Sequence, residues 1–209
     1  MTDATAEAAR QLCEAGRALA SYGLAHGTSG NLSMRVHGGY LASPTNASLG
    51  TLTPKTISML DDGGAHVAGE DPTKEIPLHL AVYARRPAAR AIVHVHSTYA
   101  VALSCLRDVD PDDVLEHLTP YPIMRVGRLL LTAYARPGSQ MLANAVAART
   151  TESPALLLAN HGPMFAGDSL AAAVAGIVEI EEAAKLQLLL RVHDVRPLTS
   201  SEIADLGRP

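Results

Sequence analysis

Residues 73–99 read TKEIPLHLAVYARRPAARAIVHVHSTY, and the rest of the chain is organised around them. Pro77 is tolerated in a first helical turn and Pro87 ends what that turn starts, so Glu75 stands at the entrance of a helix running to about Arg86. The apolar run 91–96 is then a short strand. Alternate residues of a strand share a face, so His94 and His96 aim two imidazoles at one point. A carboxylate and two converging imidazoles are most of a shell for a divalent ion, and the search is for a third imidazole.

The chain has 209 residues, 47% of them hydrophobic and 18% charged, which gives enough apolar material for a large core in one domain spanning 1–209. A net charge of -4, 3% aromatics and no Trp argue against a basic, base-stacking surface for nucleic acid. Cys13 and Cys105 form no Cys-x-x-Cys pattern, so neither a disulfide framework nor a thiolate zinc site is expected, and a reducing cytoplasm fits. The opening MTDATAEAARQL holds no apolar leader, and no run is long enough to cross a bilayer.

The flanking elements follow from periodicity and punctuation. Residues 4–22 place Leu12, Ala15 and Leu19 on one helical face, with Gly23 as a stop. The loop Gly27-Thr28-Ser29-Gly30-Asn31 feeds an alternating strand at 32–36. Either it is a plain turn or it is an anion cradle, because small residues let backbone N–H groups approach a phosphate. Gly38-Gly39 turns the chain into a strand at 40–42 that delivers Ser43-Pro44-Thr45-Asn46, and a second hairpin spans 57–67. Ser97 is positioned to cap a helix reaching Leu106. An acidic, solvated connection follows at 107–116, then two short β-runs, IMRV and LLLTAY, with Gly127 between them. An alanine-rich helix ends near Thr150. The last third reads as strand 155–159, the turn Asn160-His161-Gly162-Pro163, and a long helix capped by Asp168 that runs to about Arg191. The polar tail 192–209 reads as loosely held.

His161, in a tight turn directly after an apolar strand, completes the set. His94, His96 and His161 with Glu75 match a first shell for zinc or a similar divalent ion. His79, one helical turn beyond Glu75, reads equally well as a structural residue or as one that supports a ligand. His26, His37, His66, His117 and His193 sit in polar contexts and are expected to be exposed.

These segments together resemble the class II aldolase and adducin-head family over nearly the whole chain. The motifs are Gly27-Thr28-Ser29-Gly30-Asn31, Ser43-Pro44-Thr45, Glu75 with His79, His94-Val95-His96, Thr119-Pro120-Tyr121 and Asn160-His161-Gly162-Pro163. The resemblance implies an α/β three-layer sandwich with a central, mostly antiparallel sheet flanked by helices. It also implies a homotetramer with active sites between subunits and one Zn2+, or another divalent ion such as Mn2+ or Co2+, per subunit. By that resemblance His94, His96 and His161 bind the metal, and Glu75 is both ligand and acid/base. Tyr121 donates a proton from the adjacent subunit, and the loops with Thr28, Ser29, Gly30, Asn31, Ser43, Thr45, Thr73 and Lys74 hold a phosphorylated small-molecule substrate.

Aldolases similar to fuculose-phosphate aldolase carry a glycine after the Ser/Thr-Pro-Thr step and a Ser-Ser pair before the glutamate. This chain has Asn46 and Thr73-Lys74 there, and with LTPYPIMRVGRLLLTAYARPGS it is similar to the branch of 3-oxo-tetronate 4-phosphate decarboxylases. The branch implies release of carbon dioxide through a metal-stabilised enediolate, giving dihydroxyacetone phosphate. Lys74 would suit a substrate with its own carboxylate. A sugar-phosphate aldolase or epimerase shares that enediolate and stands as the alternative, and an adducin-head-like interaction module without enzymatic activity is the third reading.

Overall fold

The alternating and apolar runs assemble into one eight-stranded sheet of order β4-β3-β2-β1-β5-β8-β7-β6. This computed structural model describes residues 3–206, so Met1, Thr2 and the last three positions of the predicted tail lie outside the described residues. The strands are β1 (Asn31–Val36), β2 (Gly39–Ala42), β3 (Ser58–Leu60), β4 (His66–Ala68), β5 (Ala91–His94), β6 (Leu129–Thr132), β7 (Ala155–Leu158) and β8 (Gly162–Gly167). The helices are α1 (Asp3–Ser21), α2 (Ile76–Arg85), α3 (Thr98–Ser104), α4 (Pro120–Arg125), α5 (Gln140–Arg149), α6 (Leu170–Leu190) and α7 (Ser200–Asp205). Every pairing is antiparallel except β6 with β7, where the intervening α5 supplies the crossover that a parallel pair needs.

Strand alternation sorts the core into two layers. Ala91, Val93 and Val95 pack with Leu12 and Leu19 of α1, Leu103 of α3 and Ile177 and Ile180 of α6. Ile92 faces the other way, onto Leu78 and Val82 of α2 and Leu142 and Val146 of α5. The sheet is therefore covered on both faces, as the three-layer expectation requires, and His94 follows Ile92 onto the α2 side.

Three expectations are corrected. IMRV is not a strand: its first three residues end α4, which starts at Pro120, because a proline in the first turn is already set for helix and Thr119 is extended at the N-cap position. The cap of α6 is Ser169, not Asp168; its hydroxyl accepts the Ala172 N–H at 3.2 Å. The tail is more ordered than its polarity suggests, since Thr199 and Glu202 close a capping box on α7. The Ser97 position does start α3, yet its hydroxyl makes no capping bond. The carboxylate of Glu181 on α6 takes the Tyr99 and Ala100 N–H groups instead, at 2.9 and 2.8 Å.

The β7–β8 turn carries His161, and its tightness rests on two backbone features. Asn160 adopts φ 54°, a left-handed conformation that asparagine tolerates. A Cβ on Gly162 would collide with the Val95 carbonyl oxygen and stand 3.4 Å from His96 Cδ2. Gly162→Ala is therefore expected to lower stability by about 1–3 kcal/mol through overpacking, read as the shift in a urea unfolding curve, and to weaken divalent-ion binding by displacing His96.

Candidate metal centre

Four side chains meet at the α2 end of the central strands. Glu75 immediately precedes α2, and its carbonyl accepts two N–H groups of that helix's first turn, from Leu78 and His79. His94 closes β5 and is fully buried. His96 follows two residues on, and His161 arrives on the β7–β8 turn. One nitrogen or oxygen from each of Glu75, His94, His96 and His161 lies within 4.8 Å of all the others.

The geometry fits a small divalent cation. Ligands about 2.0–2.1 Å from a zinc ion in a tetrahedron stand about 3.3–3.4 Å apart. The observed edges are 3.2 Å from His96 Nε2 to His94 Nε2 and 3.3 Å from His94 Nε2 to His161 Nε2. Of the carboxylate, Glu75 Oε1 stands 3.6 Å from His161 Nε2, and Oε2, the oxygen nearer His94, is 3.5 Å from its Nε2. Hydrogen bonds among the rings do not account for this. His94 Nδ1 lies 2.8 Å from the Pro163 carbonyl and must donate to it, so in the neutral ring Nε2 offers a single lone pair to two neighbours. An ion at the centre satisfies all of them. Glu75 Oε1, buried without a hydrogen-bond partner, is the other sign that a cation belongs here.

Electrostatics keep the donors ready. Burial pushes the His94 and His96 rings below their ordinary range, and it takes His161 down to about 4, with His94 adding to the effect. Neutral imidazoles are the form that ligates. Burial acts to raise the Glu75 carboxyl, but His94, the Asn31 amide and His161 outweigh it and hold the group below the usual carboxylate range.

The loop residues divide. Asn31 sits opposite His94 in the β1–β5 ladder, and its amide donates to Glu75 Oε2 at 2.7 Å rather than pointing outward. Thr73 Oγ1 accepts the Glu75 N–H at 3.3 Å, and the Thr73 N–H donates to the Ser43 carbonyl at 3.1 Å. Ser43 Oγ accepts the Leu32 N–H, and Thr45 N–H reaches the Asp71 carbonyl at 2.8 Å, so these two loops are sewn together beside Glu75. Gly30 abuts the end of β5, where a Cβ would stand 3.0 Å from the His94 carbonyl oxygen. Ser29 Oγ donates to the His26 carbonyl, while Thr28 and Lys74 are exposed. Tyr121 is not gathered with the four: it lies on α4, packed against α6 in the opposite helix layer, 58% exposed with its ring 6.0 Å from the Arg125 guanidinium. Of the histidines set aside, His26, His37, His66 and His193 are exposed, and His117 is half-buried against Asp113.

Residues 10–188 match the class II aldolase and adducin N-terminal domain family. The chain belongs to that family. It is 43% identical over 185 residues to the 3-oxo-tetronate 4-phosphate decarboxylase of Escherichia coli strain K12, a match that covers 88% of this chain and 87% of the relative. The crystal structure of YgbL from Escherichia coli superposes with a TM-score of 0.95 at 38% identity, over 98% of this chain and 99% of that one. More distant is an L-fuculose phosphate aldolase of Haemophilus influenzae, 32% identical over 94% of this chain and 90% of the relative.

Depressed histidine pKa values carry a stability consequence. Below its ordinary 6.5, His161 takes up a proton in the unfolded chain that the folded chain refuses until about 4. The metal-free protein therefore loses stability as pH falls through that window, and His79, held down to about 3 by burial, extends it. Glu75 acts in the same direction at its lower end, because its folded value also lies below the usual one. Urea midpoints of the metal-free protein should decline steadily from about pH 6.5 to about pH 4, and His161→Gln should flatten that slope.

Proposed function

We propose that this chain decarboxylates 3-oxo-tetronate 4-phosphate to dihydroxyacetone phosphate and carbon dioxide, as a divalent-metal-dependent lyase. The observation that carries this reading is the 43% identity with a decarboxylase of that substrate, over a length that includes all four convergent donors. Glu75, His94, His96 and His161 are the residues we assign to the ion, with Zn2+ as our first choice from the tetrahedral edges and the three imidazoles. When bound, the ion supplies Lewis-acid polarisation of the substrate's C3 carbonyl oxygen.

The chain's own groups do the rest. Loss of carbon dioxide leaves the C1–C2 electron pair on the substrate, and one proton must reach C2. We assign its delivery to the Tyr121 hydroxyl of an adjacent subunit, or to Glu75 in its protonated form. Exposure of Tyr121 on the single chain supports delivery across an interface, and with it a homotetramer. The phosphate goes to the loops at 28–30 and 43–45. Lys74, exposed at the start of α2 one residue before Glu75, suits the substrate carboxylate. The unpaired Cys13 and Cys105 support a cytoplasmic setting.

A sugar-phosphate aldolase is the second reading, favoured by the 32% identity with L-fuculose phosphate aldolase. The metal-loaded protein should release carbon dioxide from 3-oxo-tetronate 4-phosphate and no aldehyde from ketose 1-phosphates; the reverse pattern selects the aldolase. Tyr121→Phe should lower kcat by about 10²–10⁴-fold, the usual worth of a positioned acid. Lys74→Ala should raise KM for the acid substrate by about tenfold, the loss of one charge-assisted contact.

A further inference from the structure

Behind Glu75 lies a file of buried polar side chains that the chemistry above does not use. Asn31 Nδ2 is 2.7 Å from Glu75 Oε2, and Asn31 Oδ1 is 2.6 Å from His79 Nε2. His79 Nδ1 is 2.6 Å from Ser33 Oγ, which is 2.9 Å from the Tyr83 hydroxyl. Asn31, Ser33, His79 and Tyr83 are each at most 5% exposed.

The directions of these bonds follow from the end that has no choice. An ionised carboxylate only accepts, so Asn31 donates to Glu75 and presents its oxygen to His79. His79 Nε2 therefore carries the ring proton, and in the neutral ring Nδ1 accepts the Ser33 hydroxyl proton. With that proton committed, Ser33 accepts from Tyr83. Every donor in the file points toward Glu75. The outer end is closed by Arg35, whose guanidinium lies 4.8 Å from the Tyr83 ring centre, and by Tyr40 stacked on Tyr83 at 4.9 Å.

Apolar side chains would fill this volume without desolvating four polar groups, so packing alone does not explain the file. An Asn amide has nearly the same shape in its two flipped forms. The Glu75 carboxylate selects the form that donates to it, and the His79 N–H on the Asn31 oxygen reinforces that choice. Flipped, Asn31 would set an oxygen against Glu75 Oε2. We propose that Tyr83, Ser33 and His79 are positioning residues that lock the Asn31 amide and so divide the Glu75 carboxylate, with Oε2 held by Asn31 and Oε1 left for a divalent ion.

The proposal rests on the metal-site assignment made above, and it is tested by binding rather than turnover. Zn2+ is titrated calorimetrically into the metal-free protein against a competing chelator. Asn31→Asp keeps the shape but turns an oxygen on Glu75, and affinity should fall about 10–100-fold, the usual cost of losing a ligand's support. His79→Leu should fall toward the same value. His79→Gln, which keeps a donor at the Nε2 position, should stay within a few-fold of wild type. The Asn31→Asp/His79→Leu double variant should bind no worse than Asn31→Asp, because both changes break one file.

A folded His79→Leu protein with wild-type affinity, or effects that simply add, overturns the proposal. Should His79→Leu not fold, Ser33→Ala carries the test: a several-fold loss supports the file and unchanged affinity overturns it. His94→Ala separates the two levels. If it abolishes binding while His79→Leu does not weaken it, only the file is wrong; if it too leaves binding intact, the metal assignment fails and the file's role fails with it.

Discussion

Holding three imidazole nitrogens and a carboxylate against one another in a dry place is an unfavourable arrangement that the rest of the fold exists to enforce. His94 loses its hydration and His96 and His161 lose part of theirs, and that loss is what keeps the rings neutral and their lone pairs free. The lone pairs can converge only if the backbone segments bearing them cannot spread apart. The sheet supplies that restraint. His94 is clasped by ladder pairing on both sides, to Asn31 of β1 and Met164 of β8, and its ring is turned by the Pro163 carbonyl. His161 rides the turn that leads into the same β8, so both rings are anchored to one strand and cannot drift independently.

The opposite helix layer contributes without touching the centre. Beyond His96 the chain must leave the sheet at once, and the N–H groups of the new helix would otherwise be buried without partners. Glu181, from the middle of α6, meets two of them. A carboxylate buried at a helix N-terminus gains from both charge-assisted bonds and the helix dipole, so the exit from the histidine strand is fixed in direction. The position of His96 is thus set from one face of the sheet while its ring is used on the other.

What was legible in the sequence was what depends on short spacing. His94 and His96 alternate on a strand, His161 stands between Asn160 and Gly162, and Glu75 precedes Pro77; each of these is decided within a few residues. The layered α/β arrangement was implied by the resemblance to the class II aldolase and adducin-head family, not by these spacings. Two of the misreadings have equally local causes. IMRV is an apolar run too short for period to separate strand from helix, and the deciding signal was Thr119-Pro120 upstream. Ser169 and Asp168 are both good caps, and sequence does not say which backbone geometry will choose. Asn31 was assigned to a phosphate loop because its partners, Glu75 and His79, are 44 and 48 residues away. The signal that existed was a double spacing: Asn31 and Ser33 share a strand face, and Glu75, His79 and Tyr83 lie at successive helical turns. Neither pattern names the other as its partner.

This division between strands and loops bears on how relatives at 43% and 32% identity come to carry different reaction names. The four donors hang on strand ends and a helix start, where a change would cost the ladder itself. The segments around 43–46 and 71–74 have no such duty, yet they are tied to each other by Thr73 N–H on the Ser43 carbonyl, by Thr45 N–H on the Asp71 carbonyl and by the Pro44–Pro72 bridge. Thr73 is also tied to Glu75 through its hydroxyl. A substitution in either loop therefore moves the other, and it reaches the carboxylate by one hydrogen bond without disturbing the imidazoles. On the function proposed above, substrate preference would change through these loops while the four convergent side chains stay the same, which is the arrangement expected if one polarising centre serves both loss of carbon dioxide and cleavage to an aldehyde.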